Sequence, residues 1–248
     1  MNRRDMLKLT GAAVAGSTIF GIDAIASEKS SDATASTQGN KPKKALIIGA
    51  HPDDPETGCG GTMVMLRKAG WDVVSVYMTR GEAGIKGKTH EESSAIRVKE
   101  ATEACKIMDV RPLFMTQIDG SSEVTKERYT EMKEIIAAEK PDIVFTHWPM
   151  DSHADHRTCF TLVFDAWRRL GYNFELYFFE VMSGIQSQLF NPTDWVDITP
   201  AAATKREATF CHKSQDPESW YDDSHGMMEK FRGMEFRCER AEAFIHMN

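Results

Sequence analysis

The chain predicts an α/β fold of three layers, a mostly parallel sheet between helices on both faces. Three observations carry this. From residue 45 onward, short apolar runs rich in β-branched residues alternate with stretches of helical periodicity. The first run, 45–50 (ALIIGA), is apolar without alternation, as in a strand covered on both sides. The run 142–148 (DIVFTHW) has the same character a hundred residues later. Such a β-α-β-α order gives a Rossmann-like sandwich, with its working groups outside the carboxyl ends of the strands.

Taken in order, strands are expected at 45–50, 72–79, 112–115, 142–148, 175–181 and 194–198. Helices are expected at 57–69, closed by Gly70, and at 91–108. Further helices are expected at 126–138, 154–170 and 201–212, the last opened by Pro200. Between the second strand and second helix lies a loop punctuated by Gly81, Gly84 and Gly87. Beyond about residue 213 the pattern reads as amphipathic helix and loop.

The first 26 residues stand apart. Arg3, Arg4 and Lys8 make a basic start, 9–25 is apolar and rich in Gly and Ala, and Ala24-Ile25-Ala26 has the form of a cleavage site. This reads as an export signal of twin-arginine type, too short to span a membrane, with a general secretory signal as the competing reading. A periplasmic or other extracytoplasmic location follows, with no stable membrane span once the signal is removed. Removal takes three basic and two acidic residues, so the formal charge of −7 becomes −8. An acidic chain without a basic tract is not built for nucleic acid. Residues 27–44 read as a flexible tether, and 45–248 as one domain. The five cysteines are widely spaced and form no C-x-x-C pair, so most are expected to be small buried apolar residues; one pair bridging is the alternative.

Two clusters carry the chemistry: His51-Pro52-Asp53-Asp54 after the first strand and His153-Ala154-Asp155-His156 after the fourth. Two strands delivering two such loops to one sheet edge can close a three-ligand metal site, and imidazole with carboxylate is the ligand set of catalytic zinc. Asp53 and Asp54 are adjacent carboxylates that repel unless a cation lies near them. A lone histidine is more often structural or merely exposed, and His90, His225 and His246 are read so.

Gly49-Ala50-His51-Pro52-Asp53-Asp54-Pro55-Glu56, Gly58-Cys59-Gly60-Gly61-Thr62 and His153-Ala154-Asp155-His156-Arg157 together resemble the LmbE-like (PIG-L) zinc deacetylases. That family includes N-acetylglucosaminyl-phosphatidylinositol deacetylases and the deacetylases of bacterial thiol biosynthesis. Thr79 to Gly84, Arg97 with Glu100, Lys205, and His212-Lys213-Ser214-Gln215 are similar as well, so the resemblance spans most of 45–215. It implies one zinc ion per subunit, or another divalent metal, on His51, Asp54 and His156. It implies Asp53 as general base, a protonated His153 stabilising the developing oxyanion, Asp155 orienting an imidazole from behind, and Arg97 touching substrate. For Arg97 the competing reading is a surface ion pair with Glu100 or Glu103. Ala154 stands where the family usually has proline, a change of loop stiffness rather than of ligands. Asp151 stands where some thiol-pathway members place tyrosine, which sets their particular substrate apart.

The implied activity is hydrolysis of an N-acetyl group from an amino sugar of N-acetylglucosamine type, on a small-molecule or glycan substrate; many relatives of this family assemble into homo-oligomers, while this sequence leaves the oligomeric state open. Trp148, Trp195, Trp220 and Tyr221 offer stacking faces for a sugar or belong to the core, the latter being preferred for Trp195. Two rivals remain. A nucleotide-binding oxidoreductase would need a G-x-G-x-x-G turn, but Met63 stands where the third glycine belongs. A non-catalytic zinc- or sugar-binding protein would have no use for a spare carboxylate such as Asp53.

Overall fold

The computed structural model describes residues 41–247, and the expected export signal and most of the tether lie outside them. Seven strands and six main helices follow one another: β1 Lys44–Gly49, α1 Asp54–Lys68, β2 Asp72–Tyr77, α2 His90–Met108, β3 Arg111–Phe114, α3 Lys126–Glu139, β4 Ile143–His147, α4 Ala154–Arg169, β5 Glu175–Phe179, β6 Asp194–Asp197, α5 Ala202–Thr209, α6 His225–Phe236 and β7 Ala241–Met247. All six expected strands and five expected helices are present, with ends displaced by a few residues.

The strands form one sheet in the order β3-β2-β1-β4-β5-β7-β6. The first five are parallel, and β7 runs antiparallel to both its neighbours. Apolar residues of β1 alternate between two cores. Ala45 and Ile47 pack with Cys59, Met63 and Ala104 beneath α1 and α2, while Leu46 and Ile48 pack with Ile136, Leu162 and Val163 beneath α3 and α4. The sandwich is thereby closed on both faces. None of the five cysteines is paired, and Cys59, Cys105 and Cys159 are fully buried.

β7 corrects the expectation of helix and loop beyond residue 213. Its sequence, AEAFIHM, has few β-branched residues, so propensity alone did not mark it. Tertiary pairing supplies the reason: Phe244 lies opposite Phe179 of β5 on one side and Asp194 of β6 on the other.

α1 starts at Asp54, three residues earlier than expected, with Pro55 in its first turn. The helix then presses on the sheet. A Cβ on Gly58 would come within 2.5 Å of the Phe179 ring, so only glycine lets the two elements approach this closely. Gly58, Gly60 and Gly61 thus serve packing inside a helix, not a phosphate-cradling turn, which removes the basis of the oxidoreductase reading.

After β3 the chain returns to β4 on the far side of β1. Strand order reverses between β1 and β4, and this switch point leaves a crevice at their carboxyl ends.

Candidate active site

That crevice is a cleft of about 600 Å³, and both clusters reach it. The first turns tightly off β1: the His51 N–H donates to Asp54 Oδ2 at 2.7 Å, and the Asp54 N–H to the His51 carbonyl at 3.2 Å. Asp53 pays for this turn with φ 121°, ψ −28°, a region L-residues avoid and one that costs on the order of 1–3 kcal/mol. The second cluster opens α4. His153 is its N-cap, with Nδ1 accepting the Asp155 N–H at 3.2 Å, so Asp155 and His156 fall in the first turn.

Asp54 is where the clusters meet. Its Oδ2 lies 3.2 Å from His51 Nδ1 and its Oδ1 3.3 Å from His156 Nε2. The other nitrogen of each imidazole faces a carboxylate. His51 Nε2 is 3.1 Å from both Asp155 and Asp119, and His156 Nδ1 is 3.2 Å from Asp151. Inner nitrogens converging on a carboxylate, with outer nitrogens held by further carboxylates, is how metal-ligating histidines are oriented. Two imidazoles and one carboxylate also match three-ligand catalytic zinc sites that keep a position open. The residues present therefore fit a divalent ion.

Electrostatics follow the same contacts. Burial opposes a charge on His51, but Asp119, Asp155 and Asp54 outweigh it and lift its pKa well above the usual histidine range. Burial likewise opposes charge on His156, yet Asp54 and Asp151 raise it to about 9. The Asp54 carboxyl is held well below the ordinary range, its burial outweighed by His156 and His147.

Asp53 points elsewhere. Its carboxylate meets Arg97 Nη2 at 2.9 Å, and Arg97 also donates to the Pro52 carbonyl. Arg97 is the cation that adjacent carboxylates require. Burial first, and then Asp54, raise the Asp53 pKa against the opposing pull of Arg97, in the direction that suits a base. Arg97 is only 3% exposed, so the alternative of a surface pair is overturned; Glu100 instead accepts from the Ser214 N–H and hydroxyl. The glycine loop lies over the guanidinium, and a side chain at Gly84 would overlap it.

The surroundings of His153 oppose a charge. Burial lowers its pKa, and the neighbouring His51 and His156 lower it further. With Nδ1 accepting from the backbone, the neutral ring carries its proton on Nε2. The protonated imidazole expected there would carry its charge against burial and those two neighbours.

Four further residues belong to this constellation without having been singled out for it. Asp119 lies in the loop between β3 and α3 and also accepts the Ala83 N–H at 3.2 Å. Asp151 accepts the His153 N–H at 2.8 Å besides holding His156. His147, the last residue of β4, is fully buried, stacks on His156 with ring centroids 4.0 Å apart, and lies 3.3 Å from Asp54. With Asp54 and His156 it forms one of three side-chain groups among the described residues whose ligand atoms lie close enough to share an ion, the others being His51, His153 and His156, and His51, Asp119 and Asp155. However, the His147 Nε2 accepts the Ala50 N–H at 3.0 Å and its ring does not line the cleft, whereas His51 does. Of these two imidazoles, His51 is the one that opens on the cleft. His212, behind Asp53, is buried with Nε2 3.6 Å from Glu56. His147 was marked in the sequence by its place at the end of the fourth strand; Asp119, Asp151 and His212 carried no comparable signal.

Of the four aromatics considered for stacking, Trp220 alone lines the cleft. Tyr221 is buried, while Trp195, expected in the core, is half-buried on β6 beside Phe236. His225, read as a bland histidine, also lines the cleft. His246 pairs with Glu175 at 2.7 Å, away from it.

Comparison with known proteins gives a consistent picture. The family model described as GlcNAc-PI de-N-acetylase matches residues 46–167. The diacetylchitobiose deacetylase of Thermococcus kodakarensis is 30% identical over 200 residues, 74% of each chain. The structure of an N,N'-diacetylchitobiose deacetylase from Pyrococcus horikoshii superposes with a TM-score of 0.73 at 28% identity, covering 83% of this chain and 84% of that one. GalB, a 4-carboxy-2-hydroxymuconate hydratase from Pseudomonas putida, reaches a TM-score of 0.73 at 20% identity over 83% of this chain and 96% of its own, a likeness of fold alone. On the two cluster motifs, this topology and the extent of the match, the chain belongs to the PIG-L (LmbE-like) family.

Proposed function

We propose that this protein is a zinc-dependent hydrolase that removes the N-acetyl group from an amino sugar of N-acetylglucosamine type. The observation that carries the reading is the meeting of His51, Asp54 and His156 around one carboxylate, with the Asp53 carboxylate beside them and outside their contacts. A purely structural zinc site would use four ligands and have no use for that spare base.

In this reading His51, Asp54 and His156 hold the ion, and Asp155, Asp119 and Asp151 orient the two imidazoles. When bound, the ion supplies Lewis acidity to the amide carbonyl and makes water a nucleophile at neutral pH. Asp53 takes a proton from the water that attacks the carbonyl carbon. The Nε2–H of His153 donates to the carbonyl oxygen as it gains charge, a contribution of about 3–4 kcal/mol for a well-placed donor. Asp53 then delivers the proton to the amide nitrogen as the C–N bond breaks. Acetate and a free amine leave. Arg97 holds Asp53 in its strained conformation, aimed into the cleft.

Elemental analysis followed by acetate assay tests the reading. One metal ion per chain is expected, with acetate released from N-acetylglucosamine conjugates, activity lost on chelation and restored by zinc. Acetate release that survives complete metal removal would overturn it, as would a metal-loaded enzyme inert on every N-acetylated sugar. Export is proposed on the Arg3-Arg4 leader; secreted protein whose N-terminus lies near Ser27 supports it, and an intact Met1 refutes it.

A further inference from the structure

Part of the cleft wall comes from the segment after β5, which contributes Val181, Met182 and Gln186. This segment is fastened to the loop that precedes the second cluster. The Ser152 N–H donates to the Gln186 carbonyl at 3.0 Å, and the Gln188 N–H to the Met150 carbonyl at 2.7 Å. Asp151 and Ser187 lie between these bonds as an isolated antiparallel bridge. The Trp148 indole N–H adds a bond to the Gln188 carbonyl at 2.9 Å.

One side chain of this seam reaches toward the metal-facing groups. Ser187 is 1% exposed. Its Oγ accepts the Val181 N–H at 2.8 Å, so its own proton goes to Asp151 Oδ2, 3.2 Å away. The other oxygen of Asp151, Oδ1, accepts the His153 N–H at 2.8 Å and lies 3.2 Å from His156 Nδ1. That last approach is in ion-pair range but is not aligned as a hydrogen bond, so its direction depends on how the carboxylate is turned. Bonds at both oxygens set that turn. A hydroxyl donating to a carboxylate makes a charge-assisted bond, stronger than one between neutral groups. Without it Asp151 can rotate about its Cβ–Cγ bond, and the imidazole it orients loses a fixed partner.

We propose that Ser187 is a positioning residue for the metal ligand His156, acting through Asp151, and that it couples metal binding to the order of the cleft wall at 182–188. The coupling is reciprocal. An ion that fixes His156 and Asp151 also fixes Ser187, and a wall that releases Ser187 loosens the ion. Metal-free protein then has a looser wall than loaded protein. This rests on the reading of His51, Asp54 and His156 as the metal ligands.

The test compares the full chain with its S187A and W148F variants, with Tm recorded for each. Trp148→Phe removes the bond to Gln188 from the same seam, keeps a ring against Phe178 and Phe190, and leaves the Ser187 hydroxyl in place. Three quantities are read: zinc affinity by competition with a chelator, the visible ligand-field spectrum of the cobalt(II)-loaded protein, and amide exchange with and without zinc. In wild type, zinc should slow exchange across 184–188, where each N–H is hydrogen-bonded. S187A should bind zinc about fivefold more weakly, shift the cobalt spectrum and lose the zinc-dependent slowing; removal of such a carboxylate outright costs roughly tenfold or more. W148F should exchange faster at 184–188 yet keep the wild-type spectrum and a zinc affinity within about twofold of wild type. Unchanged affinity and spectrum in S187A, or an equal loss in W148F, overturns the coupling and leaves the metal reading in place. A wild-type chain that binds no divalent ion overturns the metal reading and the coupling with it. Should S187A not fold, wild-type exchange decides: slowing by zinc at 184–188 supports the coupling, and exchange indifferent to zinc refutes it.

Discussion

Replacing Asp53 by asparagine separates the base from the metal site. Asp53 Oδ2 lies 2.9 Å from Arg97, and the two side chains are 21% and 3% exposed. Removing one partner of a fully buried pair costs about 3–5 kcal/mol. Here the amide oxygen can still accept from Arg97 and one side opens on the cleft, so about 1–2 kcal/mol is expected. The chemical loss should be larger. A positioned general base contributes about 10²–10⁴-fold, or about 3–5 kcal/mol of barrier, and an amide cannot take the proton. His51, Asp54 and His156 make no hydrogen bond or ion pair with the Asp53 side chain, so metal content should stay at one ion per chain. The assay is acetate release beside elemental analysis and urea unfolding on the same preparation. Loss of the ion in Asp53→Asn would make Asp53 a ligand, and turnover within tenfold of wild type would assign the base elsewhere.

Three other outcomes follow from the contacts. Asp155→Asn and Asp119→Asn each leave His51 Nε2 one carboxylate, so each should weaken metal binding about tenfold, and the double variant more, read by competition with a chelator. Lys205 is fully buried between Glu242 at 2.7 Å and Glu229 at 3.1 Å, and Glu242 also accepts the Gly61 and Thr62 N–H groups of α1. Lys205→Met should therefore cost about 3–5 kcal/mol in urea unfolding; a loss below about 1 kcal/mol would mean that the pair adds little. The folded-state pKa of His225 is depressed to about 4 from an unfolded value of 6.5, so its contribution is complete above 6.5 and is lost as pH falls toward 4. Wild type should lose about 1–2 kcal/mol more than His225→Gln between pH 7 and pH 5; equal losses would contradict the burial of a neutral imidazole there.

The sheet and the site differed in how far the sequence exposed them. β1 and β4 were legible because strands covered on both faces are continuous apolar runs, and their end loops fell where a parallel sheet gathers its working groups. β7 was not, because AEAFIHM owes its strand to pairing with β5 and β6, and Glu242 within it serves a lysine 37 residues earlier. The proposed metal ligands stood out as two clusters with spacing and family resemblance. Their supports stood out less. Asp119 follows a short third strand, and Asp151 precedes its motif by two residues, so neither has a local pattern that separates it from an ordinary loop carboxylate. The backbone N–H that reaches His153 Nδ1 is likewise a fact of loop geometry.

The central claim is that His51, Asp54 and His156 share one divalent ion. A crystal structure of the zinc-loaded protein, with anomalous scattering recorded at the zinc edge, tests it most directly. The account predicts a single strong peak about 2.0–2.2 Å from one nitrogen of each imidazole and an oxygen of Asp54. A peak held instead by Asp54, His147 and His156, or one bonded to Asp53, would contradict it.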